Sequence, residues 1–156
     1  MTDDNHFPRS SGTYGLLLHL PDAQQVVVGR LGSWWLAAGY YLYVGSALGP
    51  GGLAARLNRH LRADKRPFWH IDYLRQVGVV TAVCWLESPE RYEHKWAAAA
   101  QQLPGATMPV PGFGASDCRC AAHLFHIEQL PNLRLLSGHL PLKLTTDLTR
   151  LATEQK

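Results

Sequence analysis

GYYLYVGSA, at residues 39–47, is a stretch of aromatic and branched side chains that runs into a glycine, Gly45. This composition predicts a strand over residues 40–44 that packs against a core. Residues 45–52 contain four glycines and one proline, which predicts a loop directly after the strand. This part of the chain is therefore predicted to be a strand followed by a glycine-rich loop.

A helix is predicted after this loop, over residues 53–62, because leucine recurs there at every fourth position. The buried stripe that this spacing predicts consists of Leu53, Leu57 and Leu61. Arg56 and His60 are also four residues apart, so they share a face beside that stripe. A cationic side chain at the edge of a buried stripe is well placed to reach into a cleft.

The rest of the chain alternates apolar runs with turn signals. Further strands are predicted at residues 13–20, 25–31, 79–86 and 121–127, and further helices at residues 68–77, 88–102 and 143–153. The first two of these strands flank Pro21-Asp22, which predicts an antiparallel hairpin. Ser88 is the predicted N-cap of the helix that follows it. Together the elements predict an α+β domain in which helices flank a small mixed or antiparallel central sheet.

The composition limits the class of protein. With 156 residues, 46% apolar and 17% charged, we expect one globular domain. The formal net charge of +3 permits binding to a phosphate backbone. No apolar run approaches the roughly 20 residues of a membrane-spanning helix, and residues 1–11 form a polar, flexible N-terminus without a signal-peptide core. Three cysteines do not form a disulfide framework. We therefore expect a cytoplasmic protein with no membrane partner.

A group of basic residues lies within and just after the predicted helix. Its members are Arg56, Arg59, Arg62, Lys65 and Arg66. Such a cluster is usually a solvated surface, but its place directly behind the strand and loop favours contacts with phosphate groups. We assign this cluster to nucleic-acid binding.

Two tripeptides in the predicted sheet form a pair, Gly12-Thr13-Tyr14 and Tyr43-Val44-Gly45. With the helix that follows, the pair resembles the signature of the GIY-YIG endonuclease superfamily, which has Gly-x-Tyr and Tyr-x-Gly on adjacent strands of a small sheet. Many members carry a basic or amide residue shortly after the second motif, where Ser46 stands here. The catalytic residues that the resemblance implies are Tyr14, Tyr43, Arg56, His60 and, as the metal ligand on a later helix, Glu93.

Further motifs narrow the resemblance. They are YVGSA at residues 43–47, WHIDYL at 69–74, GFGASDC at 112–118 and HLF at 123–125. They are similar to an uncharacterised branch of the superfamily whose members occur alone or fused to endonuclease III, an association with DNA repair. The resemblance covers residues 12–127 and implies a nuclease domain there. Residues 128–156 are then a weakly helical C-terminal extension.

Hydrolysis of a phosphodiester needs a proton acceptor for the attacking water. It also needs positive charge placed beside the phosphoryl group and the leaving oxygen, where negative charge develops. A divalent ion supplies that charge, and a single carboxylate such as Glu93 with retained waters suits Mg²⁺ or Mn²⁺. Arg56 is the candidate for holding the scissile phosphate. Tyr14, Tyr43 and His60 are the candidates for the proton relay.

An additional site is suggested by polar residues in the same motifs. They are His70, Asp72, Asp117, Cys118 and His123. His70 and Asp72 do not share a helix face, so the alternative is that Asp72 stabilises the helix start and His70 is a packed histidine. Cys118, Cys120 and His123 fall short of the four ligands of a structural zinc site, which makes zinc the weaker alternative to magnesium.

The sequence therefore predicts a metal-dependent endonuclease that acts on DNA. We expect it to select structure or damage rather than sequence, because no separate sequence-reading module is recognisable. The alternative is a non-catalytic nucleic-acid-binding module that uses the tyrosines as stacking platforms, although such a module gains nothing from a carboxylate at Glu93. A thiol- or zinc-dependent hydrolase built on Cys118 and His123 is a third hypothesis.

Overall fold

In the part of the chain that the structure describes, five antiparallel strands form the main sheet, and a separate two-stranded sheet packs beside it. The computed structural model describes residues 7–62, 66–115 and 121–148. In this part of the chain the strands are β1 (Gly12–Leu20), β2 (Gln24–Val27), β3 (Ser33–Leu36), β4 (Gly39–Ala47), β5 (Val79–Glu87), β6 (Leu124–Ile127) and β7 (Lys143–Thr145). The helices are α1 (Gly52–Leu61), α2 (His70–Arg75) and α3 (Glu93–Gln101), with short 3-10 turns at Gly29–Leu31 and Leu133–Leu136. None of the helices described here is long and apolar enough to cross a membrane.

The main sheet has the strand order β6-β4-β1-β5-β7. β1 lies in the centre of this order, and almost all of its side chains are buried, so both of its faces are covered. It pairs with β4 on one side and with β5 on the other. The predicted α+β class, with helices around a small central sheet, is confirmed.

The predicted hairpin between the first two strands is wrong. β2 ends at Val27 and pairs with β3, not with β1. The chain reversal lies further on, at the 3-10 turn, where Gly29 (φ 49°) and Gly32 (φ 87°) adopt positive φ angles. These angles are accessible to glycine at little cost, so the tight turn forms there while Pro21-Asp22 only leads the chain out of the main sheet.

Two apolar cores lie on the two faces of the main sheet, because successive side chains of a strand point in opposite directions. On one face, Leu16 of β1 belongs to the same cluster as Leu57 of α1. On the other face, Leu17 belongs to a cluster with Trp96 and Ala100 of α3. Helix α1 therefore packs on one face of the main sheet, and helix α3 packs on the other.

The predicted helix after the glycine-rich loop is confirmed, and its leucine stripe is buried. Its first turn is completed by the chain that precedes β1. The Leu53 N–H donates to the Ser10 carbonyl at 2.9 Å, and the Ala54 N–H donates to the Pro8 carbonyl at 2.8 Å. Phe7 is buried and packs edge-on against Trp85. The last residues before β1 thus satisfy helix donors that would otherwise face a buried region.

Several predicted boundaries are corrected. β4 continues through Gly45 to Ala47, α2 is only six residues long, and the last predicted strand is limited to β6. The helix predicted from Ser88 begins only at Glu93, because the Ser88 hydroxyl accepts the Glu90 N–H and closes a local turn instead. Where a helix was predicted at residues 143–153, Lys143–Thr145 form an edge strand against β5.

Candidate active site

The register of β1 and β4 brings the two signature tyrosines together. Tyr14 lies directly opposite Gly45, and Tyr43 lies two residues from Gly45 on the same face. A Cβ atom at Gly45 would lie 2.5 Å from the Tyr14 hydroxyl oxygen, so only glycine lets this ring cross β4. The ring centroids of Tyr14 and Tyr43 are 6.4 Å apart.

Helix α1 adds two side chains to this face, as the four-residue spacing predicts. The Tyr14 hydroxyl lies 2.7 Å from His60 Nε2, and both side chains are buried. The Arg56 guanidinium lies over the Trp69 ring, 4.5 Å from its centroid. Arg56 is therefore held beside the buried Tyr14–His60 pair by a cation–π contact.

A cleft of about 350 Å³ opens in front of these residues. The side chains that carry its chemistry are Tyr43, Ser46, Arg56, His70, Arg91 and Glu93. Tyr43, Arg56 and Glu93 line it, whereas Tyr14 is fully buried and, like His60, lies behind Tyr43. Of the five predicted catalytic residues, three thus meet at the cleft and two support it from the core.

The first residue of α3, Glu93, is held by two side chains. The Ser46 hydroxyl donates to Glu93 Oε1 at 2.7 Å, and His123 Nδ1 lies 2.9 Å from Glu93 Oε2. Burial would raise the pKa of the Glu93 carboxyl, but the close contact with His123, the hydrogen bond from Ser46 and the charge of Arg91 bring this pKa below its usual range. Glu93 is therefore an ionised carboxylate at neutral pH, with a fixed orientation.

The pKa values of both signature tyrosines are raised. Burial, together with the neighbouring Tyr43, raises the pKa of Tyr14 well above 10, and the charge of Arg56 only partly opposes this. Burial and the charge of Glu93 likewise raise the pKa of Tyr43, again opposed by Arg56. At neutral pH both phenols carry their protons and can donate hydrogen bonds.

His70 and Asp72 have separate roles, as their spacing predicts. Asp72 is buried and accepts the N–H groups of Phe68 and Trp69, each at 2.8 Å, and forms a two-pronged ion pair with Arg59 at 3.0 Å. It stabilises the start of α2 and is not part of the cleft lining. His70 lines the cleft, and its Nδ1 accepts the Gly114 N–H at 2.8 Å.

The arginines of the basic cluster lie in different environments. Arg56 faces the cleft, Arg59 is engaged by Asp72, and Arg62 and Arg66 are exposed. Arg91, which precedes α3, also lines the cleft and was not identified from the sequence. An isolated arginine before a helix start carries no signal of its own, so only the fold reveals its position.

Some predicted residues lie outside the described part of the chain: Lys65, Asp117, Cys118 and Cys120. Of the suggested additional site, His70 lines the cleft, Asp72 supports α2 and His123 contacts Glu93. The link from Ser46 and His123 to Glu93 was missed, because it joins residues 47 and 30 positions apart in sequence.

The donor groups near the cleft limit which metal ion could bind there. No group of three or more His, Cys, Asp or Glu side chains within residues 7–62, 66–115 and 121–148 could hold one. Mg²⁺ does not require such a cage, because it keeps several waters and binds through one or two carboxylates. Glu93 lines the cleft, is ionised, and has acceptor capacity beyond its hydrogen bond from Ser46 and its contact with His123. The residues present fit a hydrated Mg²⁺ or Mn²⁺ ion held by one carboxylate.

Fold and site together define a small α+β domain with a polar cleft where β4, α1 and α3 meet. The chain belongs to the family described as domain of unknown function DUF123, whose family model matches residues 13–140. The matched range runs past Ile127, where the resemblance drawn from the motifs ends. No curated protein and no solved structure shows a significant match to the chain.

Proposed function

We propose that this protein is a metal-dependent endonuclease of the GIY-YIG type that hydrolyses phosphodiester bonds in DNA. The observation that carries the proposal is the convergence of Tyr43, Arg56 and Glu93 on one cleft. The three residues come from three different elements, and they provide the phenol, the guanidinium and the carboxylate that this chemistry needs.

Arg56 is the residue that binds the scissile phosphate in this proposal. A guanidinium offers several N–H donors in a planar fork that matches phosphate oxygens. The Trp69 ring beneath it limits its motion, so less side-chain entropy is lost when the phosphate binds. Arg91 on the same cleft is suited to a neighbouring phosphate.

Glu93 is the residue that would hold Mg²⁺ or Mn²⁺. The bound ion would neutralise charge on the phosphoryl group and on the leaving oxygen. The chain's own contribution is orientation, because Ser46 and His123 fix both carboxylate oxygens. Partners of this kind commonly account for a large part of metal affinity.

Tyr43 is the tyrosine that meets the attacking water, because it lines the cleft and Tyr14 does not. Its raised pKa leaves very little of Tyr43 as the phenolate that could accept a proton at neutral pH, and the charge of Arg56 acts to lower that pKa. Tyr14 and His60 hold each other behind it through their 2.7 Å hydrogen bond. We assign them the support of Tyr43 and Arg56 rather than direct contact with substrate.

The test is the nicking of supercoiled plasmid and of a panel of flapped, branched, damaged and plain duplexes, with Mg²⁺ or Mn²⁺ and with chelator. We expect metal-dependent cutting that is lost in Glu93→Gln and Arg56→Ala. The matched controls are Glu90→Gln and Arg134→Ala, two exposed residues outside the cleft lining. Cutting that persists in both cleft variants would overturn the assignment of the site.

The panel also tests two expectations that accompany the proposal. Preference for flapped, branched or damaged duplexes over plain duplex would support structure-selective cleavage and a role in DNA repair. Absence of cutting on every substrate, with salt-sensitive binding that survives Glu93→Gln, would instead identify the non-catalytic nucleic-acid-binding module.

A further inference from the structure

An exposed aromatic ring stands at the edge of the cleft. Phe68 is 76% exposed and is one of the residues that line the cleft. Single exposed apolar residues are common on protein surfaces, and Trp35 at 68% is one that does not line the cleft. What distinguishes Phe68 is the set of groups around it.

The backbone that carries Phe68 is anchored. Its N–H donates to Asp72 Oδ2 at 2.8 Å, and the Trp69 N–H donates to the same oxygen at 2.8 Å. Asp72 is fixed in turn by both prongs of Arg59. An exposed ring on a backbone held in this way is presented to a ligand at a low cost in ordering entropy.

Cations and aromatic rings alternate beside Phe68. Its ring lies 5.9 Å from the Trp69 ring, and the guanidinium groups of Arg56 and Arg59 lie 4.5 and 4.0 Å from the Trp69 centroid. Arg91 lies on the same cleft. Aromatic faces for bases combined with cations for phosphates are the surface on which single-stranded nucleic acids bind.

We infer that Phe68 is a stacking platform for an unpaired base of the DNA strand in the cleft. The inference rests on the proposed function and specifies its substrate: DNA that is single-stranded or locally unpaired where it enters the cleft. The faces of the bases in an intact duplex are covered by their neighbours, so a stacking ring can be used only where a base is unpaired or at an end.

This assignment replaces the tyrosines as candidate platforms. Tyr14 is fully buried and only 9% of Tyr43 is exposed, so neither offers a ring face to a base. Phe68 offers most of its surface, next to the arginine that we assign to the phosphate. The stacking role and the catalytic role are therefore carried by different aromatic residues.

The experiment measures binding without cleavage, in chelator, with an oligodeoxynucleotide that carries a single 2-aminopurine, free or annealed to its complement. Stacking on the ring is expected to quench the 2-aminopurine fluorescence. We expect Phe68→Ala to weaken single-strand binding by about 5- to 150-fold, to abolish the quenching, and to leave duplex binding unchanged. Phe68→Trp keeps a stacking face and should retain both properties. Trp35→Ala is the matched control for loss of an exposed aromatic ring.

Equal single-strand affinity and quenching in the wild type and in Phe68→Ala would overturn the inference, as would equal weakening of single-strand and duplex binding. Cleavage by the same preparations separates the two proposals. If the wild type cuts DNA with Mg²⁺ while Phe68→Ala binds single strands normally, the platform is wrong and the nuclease stands. If the wild type neither binds nor cuts, both are wrong. Melting temperatures equal to the wild type would confirm that the variants are folded.

Discussion

At the scale of single residues, the site depends on close approaches that leave no room for a side chain. The Tyr14 ring occupies the space where a Cβ of Gly45 would stand, 2.5 Å from its hydroxyl. The glycine of the second motif is thus explained by the tyrosine of the first. The two motifs are one packing unit, and this gives a physical reason for their pairing.

Gly45→Ala tests this unit. The added methyl group must displace the Tyr14 ring, so we expect a loss of about 1–3 kcal/mol in the free energy of unfolding, together with loss of any cleavage. Urea unfolding measures the first effect. Gly49→Ala is the control, because no atom of the residues that the structure describes lies within 4 Å of a Cβ there. An unfolding free energy of Gly45→Ala equal to that of the wild type would contradict the packing.

Ser46→Ala tests how Glu93 is kept ionised. The variant removes one of the hydrogen bonds that lower the pKa of Glu93, so this pKa should rise. A metal ligand must be deprotonated, and the acid limb of the cleavage rate should therefore move to higher pH.

The measurement is the single-turnover rate as a function of pH at one fixed, sub-saturating Mg²⁺ concentration, at which protons and metal compete for Glu93. Ser10→Ala is the control, because its hydroxyl donates to Glu87 Oε1 at the same 2.7 Å but at an exposed position outside the cleft lining. An acid limb that stays in place in Ser46→Ala would show that this hydrogen bond does not set the ionisation of Glu93.

At the scale of elements, α2 depends on its contacts with the rest of the fold rather than on its length: Ile71 and Leu74 are buried in the core, and Asp72 pairs with Arg59. Its six residues are too few for a helix to be stable alone. Asp72 joins α2 to α1 through Arg59 and orders the residues before α2 through two N–H groups. Trp69 and Phe68, which border the cleft, are held in place by this contact.

Asp72→Asn should therefore destabilise the fold by about 3 kcal/mol at pH 7, as expected when a buried ion pair loses one partner. Burial would raise the pKa of Asp72, but Arg59 and the two N–H groups bring it below its usual value. This stabilisation is complete above the unfolded-chain pKa of about 3.9 and is lost as the pH falls through the lower folded-state pKa.

Urea unfolding at pH 7 and pH 3 measures the effect. The difference between the wild type and Asp72→Asn should be smaller at pH 3. The exposed Asp22→Asn is the control and should match the wild type at both values. A difference that is independent of pH would contradict the role of the charge.

The elements also show which part of the fold the sequence could predict. β1, β4 and β5 are nearly continuous buried runs, α1 has a regular leucine repeat, and all four lie close to their predicted positions. The pairing of β2 and the strand β7 were not predicted. The pairing of β2 depends on a turn at Gly29, and β7 forms on an edge of β5, and no local pattern reveals either. Pairing partners are set by the whole fold, whereas strand formation is largely set by local pattern.

At the scale of the whole molecule, the cleft is formed by residues from elements on both faces of the main sheet. Tyr14, Tyr43 and α1 belong to one core, and α3 packs on the other. Glu93 reaches the cleft from α3 because Ser46 and His123 hold it there, and the Tyr92 N–H donates to Thr13 Oγ1. The resemblance indicated which residues to expect, but only the packing shows that Ser46, His123 and Arg91 join them.

The role that we propose for Glu93, support of metal-dependent cleavage, is tested by the single-turnover rate of DNA cleavage by the wild type and by Glu93→Gln. The rate is measured with Mg²⁺, after excess chelator, and after Mg²⁺ is restored. DNA affinity is measured in parallel in chelator. We predict reversible, metal-dependent cleavage that is at least about 100-fold slower in Glu93→Gln, with DNA affinity unchanged. Cleavage by Glu93→Gln at the wild-type rate, or cleavage that continues in chelator, would contradict the claim.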